Sequence, residues 1–81
     1  MRLTTAQVLE NVRRAERAEK ALKAHVRATG ERWEPGCEAD NHLTDLLTDL
    51  MHWCDWKHLA TFEVCHGRAG NHFEAEKRGD D

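Results

Sequence analysis

The chain has 81 residues, 33 % of them charged and 40 % hydrophobic on a count that includes alanine. That length excludes more than one domain, and a chain so short buries a smaller share of its surface than a larger one, so its core needs help. The net charge of −3 argues against a dedicated nucleic-acid binder, and no run approaches the ~18 apolar residues of a membrane span. A small helical unit that completes its core by self-association is the expectation.

Charge is unevenly spread. Residues 1–34 carry eight Arg or Lys against five Glu, a balance of +3. Residues 35–81 carry four basic against ten acidic residues, a balance of −6. A basic first half and an acidic second half suit head-to-tail contacts, or an acidic surface that meets a basic partner. The opening MRLTTAQV has no apolar stretch of the secretory type. Cys37, Cys54 and Cys65 are an odd number without framework spacing, so a soluble cytoplasmic protein with reduced thiols is expected.

The first predicted helix spans about 4–29. Thr4 can cap it, Gln7 completes a capping box, and Leu3 with Val8 occupy the two positions of a hydrophobic staple. Val8, Val12, Ala15, Leu22, Val26 and Thr29 recur at steps of three and four, with Glu19 interrupting the stripe. So narrow a stripe resembles a coiled-coil seam, and Val8, Val12, Leu22 and Val26 are the candidate dimer contacts. The opposite face is charged. Arg13, Arg14, Arg17, Lys20 and Lys23 could meet phosphates, but such a run on a helix is ordinarily a solvated face. Gly30 suits the position just past the helix end.

Residues 30–40 read as a linker. Pro35-Gly36 is a turn signal, Trp33 is placed to fold back over the helix junction, and Cys37 is the most accessible thiol. A second helix is predicted over about 41–58 with Asp40 as N-cap. At 100° per residue, Leu43, Leu46, Leu47, Leu50, Trp53 and Cys54 share one stripe, predicted to be core. His42, Asp49 and Trp56 fall on its flank. A third helix is predicted over about 61–77, capped by Thr61, with Phe62, Cys65, Ala69 and Phe73 on one side. The short joint at 58–60 predicts that the second and third helices are antiparallel neighbours. Gly67 and Gly70 lie inside the third helix, where they either permit close helix approach or soften it.

Several chemistries can be weighed on these residues. Cys54 and His58 are four apart on one helical face, and Cys65 follows on the next helix, a weak zinc-ligand set. No C-x2-C or H-x3-H pair supports it, and at core positions cysteine is a small hydrophobe, so no metal or other cofactor is expected. His52 with Asp49 or Asp55 is a pairing that helices rich in both types produce by chance. No phosphate loop or nucleophile elbow is present, so no enzyme is expected. The tight helix pair is acidic, which argues against a helix–turn–helix on DNA. A binding module remains: Trp56 stands outside the apolar stripe with Asp45, Asp49 and His52 around it, and tryptophan is the residue type most enriched at binding hot spots.

The helix LTDLLTDLMHWCD, the closing NHFEAEKRG and the opening RRAERAEKALKAH together resemble a family of small bacterial proteins of phages, prophages and other mobile elements. The resemblance covers roughly residues 12–78, and Gly67 and Gly70 depart from its pattern. It implies an accessory protein acting on host or phage machinery, a setting in which inhibitors of bacterial defence systems, often acidic, compact and dimeric, are prominent. The combined expectation is an all-α domain over 1–81, a long N-terminal helix packed on an antiparallel helical hairpin, as a homodimer. It acts without catalysis by binding a host or phage protein, anti-CRISPR-like inhibition being one form. The alternative is a small zinc-binding or nucleic-acid-associated regulator.

Overall fold

In a computed structural model, residues 3–33, 36, 38–58 and 61–79 are described. They form three helices: α1 (Thr5–Ala28), α2 (Glu38–Lys57) and α3 (Phe62–Arg78). Among the described residues there is no strand. Pro35, Cys37, the joint residues Leu59 and Ala60, and the terminal Asp80 and Asp81 lie outside them.

Local chemistry sets most of the helix ends. The Thr4 hydroxyl accepts the Gln7 N–H at 3.1 Å while the Gln7 side chain accepts the Thr4 N–H at 2.7 Å, so α1 opens on the expected capping box. Such a cap contributes about 1 kcal/mol. At the other end Gly30 has φ +82°, a left-handed conformation that side chains disfavour. There the Thr29 hydroxyl and the Glu31 N–H both donate to the Val26 carbonyl, at 2.7 and 3.2 Å. α3 opens on Thr61, whose side chain accepts from the Val64 N–H, and closes on Gly79 at φ +81°.

α2 departs from expectation. It begins at Glu38 rather than at 41, so Asp40 sits inside the first turn instead of capping it. The Ala39 N–H donates to the Gly36 carbonyl at 3.1 Å, and that bond makes the entry turn. Carboxylates are favourable anywhere in a first turn because they meet the positive end of the helix dipole. A run with two acids therefore does not mark a single cap. At its far end His58 adopts φ 54° and the helix stops.

α1 holds the other two helices at its two ends. Near its start, the Gln7 side-chain amide donates to the Gly79 carbonyl at 3.1 Å and the Asn11 amide donates to the Glu76 carbonyl at 3.1 Å. Arg14 Nε adds an ion pair to Glu76 Oε2 at 3.0 Å. Near its end, His25 Nε2 meets Asp49 Oδ2 of α2 at 2.7 Å. α2 and α3 share a cleft of about 430 Å³ beside their joint, lined by Met51, Cys54, His58 and Phe62 among others. Each pair of helices thus meets over a short stretch. The result is a thin plate, 41 × 31 × 17 Å.

A thin plate has little inside. Among the described hydrophobic residues only Val26, 2 % exposed, is buried. The leucine stripe of α2, predicted to be core, is only partly covered by this chain: Leu43, Leu47, Leu50, Met51 and Trp53 are all 38–47 % exposed. α1 lies along one edge of that stripe, where His42 is 6 % exposed and Leu46 is half-buried. Cys65, also placed in the core by its spacing, is exposed, while Cys54 is half-buried. Phe73 of α3 is 58 % exposed.

Candidate functional site

The α1–α2 corner is the best-packed part of the molecule. His42 stacks on Trp33 with ring centroids 5.4 Å apart and planes at 20°. The Lys23 ammonium stands 5.3 Å from the centroid of the Trp33 ring, a cation–π contact. Trp33 therefore does fold back over the junction. His42 Nδ1 lies 3.8 Å from the Glu31 carboxylate. An ionised carboxylate only accepts, so the 2.7 Å contact of His25 to Asp49 places a hydrogen on His25 Nε2. His25 Nδ1 is buried without a hydrogen-bond partner.

These contacts account for one member of the face suspected from sequence. Asp49 is tied to α1, although its side chain remains 59 % exposed. Asp45 and His52 are exposed and lie on the same side of α2. Trp56 is 70 % exposed, more than any other large hydrophobic residue described. Its ring contact is with its own neighbour, the Lys57 ammonium, 4.2 Å from the centroid. An exposed indole offers apolar area and a hydrogen-bond donor, on a helix side that also carries Asp45 and His52.

The remaining candidates separate. Val8 and Val12 are 46 % and 48 % exposed, Leu22 is half-buried, and Val26 is enclosed within its own subunit. The α1 seam is therefore divided, its last turns used internally and its first turns open. Cys54 and His58 line the α2–α3 cleft together with Asp55 and Glu63, and Cys65 is not among the lining residues. Among the described residues no three His, Cys, Asp or Glu side chains form a metal-holding group. The basic face of α1 is interleaved with acids: Glu10 reaches Arg13 at 3.5 Å and Arg17 at 3.7 Å, and Glu19 reaches Lys23 at 3.8 Å. No helix among the described residues is long and apolar enough to cross a membrane.

Sequence reasoning missed His25, and it left His42 on a flank. The only available signal was that His25 precedes Val26 at the end of the α1 stripe, and that His42 sits one turn before Leu46.

The fold and these surfaces define a small all-α chain of three packed helices with open apolar and acidic faces. The chain matches no protein-family model, no curated protein sequence and no solved structure.

Proposed function

We propose that this chain is a non-catalytic accessory or regulatory protein that acts by binding another macromolecule, and that it does so as a homodimer. The observation that carries the reading is Trp56. It is 70 % exposed on a helix that carries five acidic residues against one lysine, a balance of −4. A large aromatic left mostly in water, on the same side of α2 as Asp45 and His52, suits a protein surface that meets both the ring and the acidic helix. Asp49 supports the same face from its edge while it anchors α1.

The resemblance to phage and mobile-element proteins gives this reading a concrete form. The acidic face of α2 occupies a nucleic-acid-binding or assembly site of a host defence complex, as an anti-CRISPR-like inhibitor would. The cytoplasm is the compartment in which it meets that target. The homodimer is supported by the open apolar surfaces of α1 and α2, since exposed patches of this extent are typical of association sites.

Affinity capture from a bacterial host lysate tests the reading. The unmodified chain retains a discrete partner, and Trp56→Ala weakens that retention by tenfold or more, in the range of a hot-spot truncation of ~2 kcal/mol. The helical circular dichroism of the variant stays unchanged, because Trp56 is 70 % exposed. Equal retention by Trp56→Ala would remove α2 as the binding face.

A further inference from the structure

We propose that a second copy of this chain covers α2 along Leu43, Leu47 and Leu50, across a two-fold axis. This rests on the homodimer reading and names its interface. The three leucines follow steps of four and three, so they form one line on the helix. They are 47 %, 38 % and 40 % exposed, and Met51 beside them is 47 % exposed. The line starts in the groove that Leu43 and Leu46 share with Ala18 and Leu22 of α1 and runs on beside the edge where His42 is buried. The chain's own packing therefore covers this apolar line only in part.

The size of the uncovered surface indicates what covers it. The chain exposes 6693 Å², whereas a compact monomer of 9.4 kDa would expose about 5,000 Å². The excess is about 1,700 Å² per chain, or roughly 3,400 Å² for a pair, which falls in the range of obligate homodimers and above that of transient complexes. The radius of gyration agrees: it is 14.8 Å against about 12 Å for a compact chain of this length. The chain as a whole is more open than a compact monomer of its length, and the leucine line is part of that open surface.

Three properties select a second copy over a foreign protein. A line of leucines is self-complementary, so a two-fold axis at its middle sets Leu47 of one copy beside Leu47 of the other and Leu43 near Leu50, each off-axis contact occurring twice. No charge stands within the line, and Asp45 and Asp49 lie on other faces of α2, so pairing two acidic helices does not press their carboxylates together. A chain whose described core is one valine also needs its cover from the moment it folds, and its own copy is present wherever it is made.

Light scattering at micromolar concentration is expected to give twice 9.4 kDa. Leu47→Glu places a charge in the line and should weaken the dimer by at least about a hundredfold. Because a charge in the line also threatens the fold of the single chain, Leu47→Lys is prepared beside it. Neither variant pairs with itself, but mixing the two sets opposite charges across the axis and restores a folded dimer. A folded monomer of the unmodified chain overturns both the line and the homodimer. A Leu47→Glu chain that keeps its dimer mass overturns the line and leaves the homodimer standing. Variants that stay unpaired and unfolded when mixed also overturn the line.

Discussion

At the scale of single residues, Val26 carries more of the fold than any other described side chain. It is the one buried hydrophobic residue among those described, and at the end of α1 its carbonyl accepts from the Thr29 hydroxyl, the Thr29 N–H and the Glu31 N–H. Removing its two methyl groups costs about 2 kcal/mol, the transfer term plus what the cavity adds. Val26→Ala is therefore expected to lower the denaturant midpoint clearly, with the slope unchanged. Val12→Ala, at an exposed position in the same seam, should lose less in the subunit. The importance of Val26 was half legible in the sequence. Its place in the stripe was clear from the three- and four-residue steps. Its being turned inward, while Val8 and Val12 stay open, depends on where α2 lands. That position is set by His25 with Asp49 and by Trp33 with His42.

At the scale of elements, the glycines of α3 separate into two kinds. A Cβ added at Gly79 would lie 3.0 Å from a Leu3 methyl and 3.1 Å from the Gln7 amide, at φ +81°. Gly79→Ala should cost about 1–2 kcal/mol and loosen the α1–α3 corner, seen as faster amide exchange in the last turn of α3. A Cβ at Gly67 or Gly70 meets nothing within 4 Å, so these glycines serve no close approach inside the chain. Gly70→Ala should stabilise α3 by up to ~1 kcal/mol in a thermal melt. A loss of stability instead would place another molecule against that surface. The ends of α1 and α3 were legible because Thr4 with Gln7, Gly30, Thr61 and Gly79 each act through bonds to adjacent backbone. The start of α2 was not, because Glu38 and Asp40 both suit a first turn. Nor was its covered edge legible. A stripe as wide as Leu43 to Trp53 can be packed from either side, and periodicity does not record which side is taken.

At the scale of the whole molecule, the plate of 41 × 31 × 17 Å explains why so much apolar surface remains. Three helices that meet near their ends enclose almost nothing between them. The leucine stripe is expected from sequence to be core. The described contacts put the first turns of α1 against α3 and its later turns against α2, and they leave Leu43, Leu47 and Leu50 38–47 % exposed. If pairing of two plates supplies the missing cover, stability becomes a property of the solution as well as the sequence. The melting temperature should then rise by roughly 5 °C for each tenfold increase in protein concentration. A melting temperature independent of concentration would count against pairing.

Val26, the one enclosed hydrophobic residue among those described, bears on lifetime as well as stability. If two copies pair as proposed, an unpaired copy would be the form open to proteases, and the rate of clearance would follow the population of that open form. Scarce copies would then be removed quickly and abundant ones would persist, so that the thin plate would convert dose into lifetime.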